Sequence, residues 1–587
     1  MRNFPAQYHL QDQDVMYFSH IPKTAGMTFR TIVEDHFHED ETCPATLKAQ
    51  IKTIAPEEFQ RYRLFRGHLG HNNIPALVPG KRMINVTVMR EPIARVISHY
   101  EYIRRMPGDP FYEAVKEMTL EEFAYKLPFG KLKKNVQTYY IAKFAQFDFD
   151  DLTPPEILEL AHRGLNDAAF VGLVERFQDS LFLLSYIFGW RPIINTRREN
   201  AAKAKKSLEE IPASTIEAIR ENSLLDIELY QSAKEIFEQR FDQMTQDLVE
   251  KYLDQVAPGL QVDLSQPLPE DLLAKLLDCH YNQRYVDLHL PASSHVIYDF
   301  AQPLRGMGWQ RRERAAELGD FRWMGPGTQA TLDLPIAKHT HTDLVVEFRL
   351  IRTHLVAPDI LQSLRLTVNG QPIELYLLHS EQGSRFYQGL IPQAVLASSD
   401  RVFTEIQFQV DRVASLQEVN PLDPDARMLG LAFNYVQVFP AAQRYEKSAL
   451  ASSFDSPAWK AAAEFVRDRA KPEEGIAAPL IFRASLLRPI SDYAAFLTED
   501  KIQWVVLHKG RTEKLAGMLA KLFTKGFRPV FANEVFVVFS TRRDGGAIAY
   551  SSEHVKPLYV DFLKRTLSGT LKSFYRKHKG KANPAQA

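Results

Sequence analysis

Across its first 255 residues the chain alternates short apolar strands with helical stretches, and this alternation constrains the fold more than any other feature. Val15–Ser19, Arg63–Arg66 and Ile84–Met89 are short, apolar and rich in β-branched or aromatic side chains, the pattern of buried strands. Helical periodicity follows over Thr28–Phe37, Ile93–Arg105, Leu120–Tyr125, Pro155–His162 and a long stretch from Pro212 to Tyr252. Strands separated by helices join through crossovers rather than hairpins. The predicted core is therefore a parallel sheet with helices on its faces.

The pattern changes between about residues 290 and 445. Seven short alternating segments appear there: Thr331–Leu334, Leu344–Leu350, Leu364–Val368, Ile373–Leu378, Phe386–Leu390, Phe403–Val410 and Leu429–Phe439. Turn residues separate them, and Asn369-Gly370 is a strong hairpin signal. This spacing predicts a β-sandwich. A third region, 450–545, reads as a small α/β domain, with helices at Trp459–Arg469 and Thr512–Phe523 and strands at Ile502–His508, Pro529–Phe531 and Val535–Ser540. The fold class expected is thus α/β: a phosphate-loop-like domain at 1–255, a linker or helical connector at 256–289, a β-sandwich at 290–445, the small domain, and a basic tail at 546–587. Apolar residues between the lysines and arginines of that tail recur at near-helical spacing, an arrangement suited to peripheral contact with an anionic membrane.

Composition narrows the functional classes. Hydrophobic residues make up 45% and charged residues 25%, which excludes a largely disordered or fibrous chain. Lys+Arg and Asp+Glu both number 72, so the net charge gives no sign of a nucleic-acid binder. Two cysteines, Cys43 and Cys279, rule out a disulfide framework, and no Cys/His spacing suggests a zinc site. With neither a leader-like start nor a long apolar run, a cytoplasmic location is expected.

Two strand-to-helix passages carry the chemistry. The first is His20-Ile-Pro-Lys-Thr-Ala-Gly-Met-Thr28. A helix start presents unpaired backbone N–H groups at the positive end of its dipole, so it attracts anions. Gly26 allows close approach, Lys23 supplies charge, and Thr24 and Thr28 supply hydroxyl donors, with the backbone of Ala25 and Met27 between them. The lysine precedes the single glycine, unlike the loop of nucleoside triphosphatases. The second passage runs from Met89 to Tyr100, where Arg90 ends a strand, Pro92 opens a helix and Ser98 lies two turns along it. An arginine and a hydroxyl so placed suit a second phosphate.

Together the two passages resemble the nucleotide-binding motifs of PAPS-dependent sulfotransferases, in the branch that holds heparan sulfate 2-O- and 6-O-sulfotransferases and related bacterial enzymes. The first resembles H-x-x-K-T-x-G-[TS]-[TS], and the second L-R-[DE]-P-x-x-R-x-x-S-x-[YW]. Further pieces are similar: Arg66-Gly-His-Leu-Gly-His71, Asn135-Val-Gln-Thr138, Gly172 to Phe177, and Asp226 to Tyr230. The resemblance spans about residues 12–245. It departs at Met27, where a hydroxyl residue is usual.

The resemblance implies PAPS as co-substrate, held by Lys23, Thr24, Ala25, Gly26, Met27 and Thr28 at the phosphosulfate and by Arg90 and Ser98 at the 3′-phosphate. Lys23 is then the stabiliser of the leaving phosphate, and His68 the general base, with His71 second in line. Glu175 is an alternative base, better read as an ion-pair partner of Arg176 or a neighbouring helix. Asn135 and Thr138 are candidate cleft residues, and Arg197 and Arg198 candidate phosphate contacts. No metal is required. The acceptor expected is a hydroxyl of a glycan or glycolipid, and no nucleic acid is involved. Trp309, Phe321, Trp323, Tyr376 and Tyr387 are candidate sugar-stacking residues of the sandwich, for which core packing is the competing reading. The rival function is a non-catalytic glycan-binding protein on a degenerate scaffold, favoured by Met27.

Overall fold

The computed structural model describes residues 4–69, 73–128, 132–149, 151–194, 210–315, 318–381, 383–441 and most of 457–562. His71, Arg197, Arg198 and most of the basic tail lie outside the described residues. The chain forms two compact units. Met1–Thr42, Arg63–Arg312 and Arg322–Arg444 make the first, and Cys43–Tyr62, Glu313–Phe321 and Tyr445–Ala587 the second.

In the first unit four strands, β1 (Asp14–Ser19), β2 (Leu64–Gly67), β3 (Arg82–Met89) and β4 (Phe170–Leu173), form a sheet in the order β2-β1-β3-β4. All its pairings are parallel. The helices that frame it are α1 (Gly26–Glu34), α2 (Pro92–Arg105), α3 (Val136–Ala145), α4 (Pro154–Asp167), α5 (Phe177–Phe188), α6 (Leu224–Val256) and α7 (Glu270–Tyr285). The helix expected from Pro212 to Tyr252 is two helices, Ala213–Glu221 and α6, with Asn222 closing the first.

Helix α7 lies inside the stretch 256–289 expected as a linker or helical connector. Its Leu272, Leu273, Leu276 and Leu277 are buried in one core with Met16, Phe18, Phe29 and Val86 of the sheet region. An amphipathic helix with four buried leucines is an integral layer of the first unit, not only a connection between domains.

The region expected to be a β-sandwich holds two antiparallel sheets. Gln371–Ile373, Arg365–Val368, Thr404–Gln409 and Gln329–Leu334 form one, in that order. The other contains Tyr376–Glu381, Ser384–Ile391, Leu344–Ile351 and Ala432–Pro440. Asn369 and Gly370 both have positive φ, 49° and 77°, the conformation a two-residue hairpin turn requires. Phe408 of the first sheet meets Phe433 and Phe348 of the second at ring separations of 4.4 and 5.1 Å.

The second unit is built on the sheet Gly475–Ala477, Ile502–His508, Phe536–Ser540, Arg528–Ala532. Its boundaries differ from the contiguous domain expected at 450–545, because it also contains Cys43–Tyr62 and Glu313–Phe321. The buried Lys509 ammonium meets the buried Glu58 carboxylate at 2.6 Å, and His554 lies 2.9 Å from Glu57. Neither acid is legible as a partner from sequence, since each lies hundreds of residues from its basic counterpart.

Candidate active site

Parallel strands all end at one edge of their sheet, and there the motif residues gather. Ser19 pairs with Gly67, Phe18 with Val86, and Met89 with Leu173. The residues that leave the strands, His20, His68, Arg90 and Glu175, therefore emerge along the same edge.

The loop between β1 and α1 curls tightly. Lys23 and Ala25 both have left-handed backbones, φ 73° and 56°. Ala25 caps α1 without any side-chain hydrogen bond to the helix N-terminus. Ser, Thr, Asp or Asn is the usual cap. Without such a cap the positive end of the α1 dipole faces the loop, a setting that favours an anion. Thr24 is buried, and its hydroxyl donates to the Ile21 carbonyl at 2.9 Å, so it shapes the loop. Gly26 admits no side chain, since a Cβ there would stand 1.9 Å from the His20 ring. Met27 is half-buried and Thr28 buried.

The imidazoles of His20 and His68 stack at 4.2 Å, and His20 stacks on Phe18 behind it. His68 Nδ1 lies 3.2 Å from the His20 carbonyl. A carbonyl only accepts, so it fixes the proton on Nδ1 and leaves the Nε2 lone pair of a neutral ring free to take another. Burial lowers the His68 pKa, against the raising effect of that hydrogen bond, and nearby Arg30 and Lys23 lower it further. Burial also lowers His20, with His68, Arg30 and Lys23 adding to it. Both rings are thus neutral at pH 7.

Lys23 is half-buried, and burial with the nearby Arg105 and Arg90 brings its pKa down to about 8. Arg90 sits against the loop, its Nη1 donating to the Lys23 carbonyl at 3.1 Å. The Arg90 backbone is clamped as well. Its N–H donates to Gln137 Oε1 at 3.0 Å, and its carbonyl accepts from Gln137 Nε2 at 2.8 Å. Glu91 caps α2 by accepting from the N–H groups of Ile93 and Ala94. Arg95, Ser98, His99 and Tyr102 recur at helical spacing along one side of α2.

Glu175 is not paired with Arg176. It accepts from the Glu91 N–H at 3.0 Å and the Tyr230 hydroxyl at 2.7 Å, and so braces the start of α2. Arg176 instead pairs with Asp179 and Glu238. Asn135 and Thr138 do not line the cleft as recognition groups; they exchange caps between α3 and α6. Asn135 Oδ1 accepts from the N–H groups of Leu225 and Asp226 at 3.0 and 3.3 Å. Asp226 accepts in return from the Thr138 N–H and hydroxyl, both at 2.8 Å, and from the Gln137 N–H at 3.2 Å. The same carboxylate faces the buried Arg95 at 4.0 Å.

Sequence reasoning missed His99 and Tyr102. His99 is pushed down to about 3 by burial, with Arg95, Lys23 and His68 as its cationic or imidazole neighbours. Tyr102 lies under the Lys23 ammonium, 4.1 Å from ring centroid to Nζ. The available signal was their place on the same helix as Ser98, His99 inside the second motif and Tyr102 one turn beyond Ser98 and just past the motif's end.

Of the aromatic candidates in the antiparallel sheets, Trp309, Phe321 and Trp323 are buried, and the Trp309 indole N–H donates to the Thr331 carbonyl at 2.8 Å. They are core, not sugar platforms. Tyr387 stacks on Phe348, while Tyr376 remains exposed.

No family model matches the chain. Curated relatives do. Heparan-sulfate 6-O-sulfotransferase 2 of Danio rerio is 24% identical over 289 residues, covering 40% of this chain and 60% of that protein. Heparan-sulfate 6-O-sulfotransferase 1 of Homo sapiens is 24% identical over 284 residues, covering 40% of this chain and 68% of that protein. Heparan-sulfate 6-O-sulfotransferase 3 of Homo sapiens is 22% identical over 288 residues and is covered over 59% of its length. The match thus takes in about three-fifths to two-thirds of the relatives' length. Over 40% of its length, this chain resembles the PAPS-dependent sulfotransferases, in the branch of the heparan-sulfate enzymes.

Proposed function

We propose that the chain is a sulfotransferase that moves a sulfuryl group from PAPS to a carbohydrate hydroxyl. The observation that carries this reading is the start of α1, which Ala25 leaves without a side-chain cap, with Lys23 on its loop and the Arg90 guanidinium against that loop from the end of β3. A helix N-terminus without a side-chain cap from Ala25, beside two cations, fits the phosphosulfate, and Arg90 with Ser98 fits a second phosphate. The relatives' names supply the carbohydrate acceptor.

In the reaction the acceptor oxygen bonds to sulfur as the bond from sulfur to the phosphate oxygen breaks. The electron pair leaves with that oxygen, giving PAP and a sulfate ester. Lys23 opposes the charge that builds there, an interaction stronger in the transition state than before it. His68 Nε2 takes the proton of the acceptor hydroxyl. His71 would be the second candidate for that proton. The stacked His20 and its carbonyl hold the His68 ring in the tautomer this needs. Met27 leaves the helix N–H groups to do what a hydroxyl would otherwise share.

Calorimetric titration with PAP tests the nucleotide site. Micromolar binding that is lost in Arg90→Ala and weakened in Lys23→Ala is the expected result. A folded wild-type chain that binds no PAP would overturn the reading and leave the glycan-binding alternative. Sulfate-labelled PAPS with heparan-type acceptors then tests the acceptor class.

A further inference from the structure

Lys23 is a half-buried lysine whose charged neighbours are Arg90 and Arg105, both cations. Among the described residues no carboxylate pairs with it. Its backbone is fixed, with a left-handed φ of 73° and the Arg90 guanidinium on its carbonyl. Its side chain rests on a ring: Nζ stands 4.1 Å from the centroid of Tyr102. The face of an aromatic ring carries negative potential and attracts a cation. Tyr102 lies on α2 one turn beyond Ser98, with its ring partly packed on the cluster of Val96, Tyr100 and Ile103.

We propose that Tyr102 is a positioning residue for Lys23: its ring seats the ammonium beside the phosphate-binding loop in the free protein and yields it to an anionic nucleotide. The identity of the anion rests on the sulfotransferase reading; the seat does not. A carboxylate in this place would hold the lysine more firmly, but would also repel every phosphate that approached. A ring holds the cation without net charge, so the seat itself adds no repulsion for the anion. The ring face, not the hydroxyl, does the holding.

The test follows Lys23 in the full chain through the rate at which an amine reagent labels it across pH, read by peptide mass spectrometry. Wild type, Tyr102→Phe, Tyr102→Leu and Tyr102→Met are compared with and without PAP, and circular dichroism checks that each is folded. Loss of the ring is expected to lower the pKa of Lys23 by about 0.5, so labelling near neutral pH runs about threefold faster in the Leu and Met variants. Tyr102→Phe tracks wild type, and PAP protects the amine in every variant and removes the differences. Identical labelling of wild type and both ring-less variants overturns the seat, as does a Phe variant that behaves like Leu. A wild-type chain that binds PAP yet shows no protection of Lys23 overturns the release. Failure to bind PAP at all, with the ring dependence intact, defeats the sulfotransferase reading alone.

Discussion

In the proposed reaction His68 and Lys23 do opposite things with protons, and the cleft sets the pH range in which both would be ready. As the proposed base, His68 has to be neutral, and burial holds its pKa below the ordinary 6.5. As the proposed stabiliser, Lys23 has to be charged, and burial among arginines brings its pKa down to about 8. The free chain's kcat/KM is expected to be bell-shaped, its acidic limb below pH 6.5 and its alkaline limb near pH 8. A dianionic ligand restores charge to Lys23, so the alkaline limb of kcat moves higher. His68→Ala should lower turnover by about 10²–10⁴-fold and leave PAP affinity near wild type. Measuring both in one preparation decides the point; loss of PAP binding would make His68 a structural residue.

At the scale of the element, the turn from β1 into α1 depends on one missing atom. A Cβ at Gly26 would strike the His20 ring, which is stacked between Phe18 and His68. Gly26→Ala should therefore weaken PAP binding at least tenfold and lower the melting temperature. Gly108→Ala, where a Cβ meets nothing within 4 Å, is the matched control and should change neither. Calorimetry and thermal melts of the two variants read the contrast. This turn was legible in the sequence because strand, glycine and helix are contiguous there, as was the Arg90 turn. The supports were not. Gln137 clamps Arg90 across 47 positions, and Asp226 caps α3 across 88. A polar side chain with a partner that remote leaves no local periodicity to read. Strand β4 escaped for a related reason: Phe170–Leu173 is only four residues, and nothing around it marks its ends.

At the scale of the molecule, a buried ion cluster ties the parallel-sheet region to the antiparallel sheets within the first unit. Arg191 Nη1 lies 2.9 Å from both oxygens of Asp333, its Nη2 lies 3.0 Å from Glu405, and Tyr281 donates to Asp333 at 3.1 Å. Asp333 is fully buried, so removal of its guanidinium strands a charge. Arg191→Met should cost about 3–5 kcal/mol of stability, and adding Asp333→Leu should return much of it. Urea titrations of the single and double variants measure the recovery; an unchanged midpoint in the single variant would refute the tie.

The second unit draws one of its buried acids from near the start of the chain, with Glu58 and Lys509 451 residues apart. On a ribosome adding roughly 5–20 residues per second, Glu58 emerges about 20–90 s before the lysine that will neutralise it. For that interval the 43–62 segment is a strip of nascent chain with Phe59 and Ile51 still waiting for the unit that buries them. The protein cannot be completed in order from its first residue to its last. Its early segment must be kept from other partners until the Lys509 region has been made, so yield in expression is expected to follow chaperone supply more closely than the stability of the finished fold.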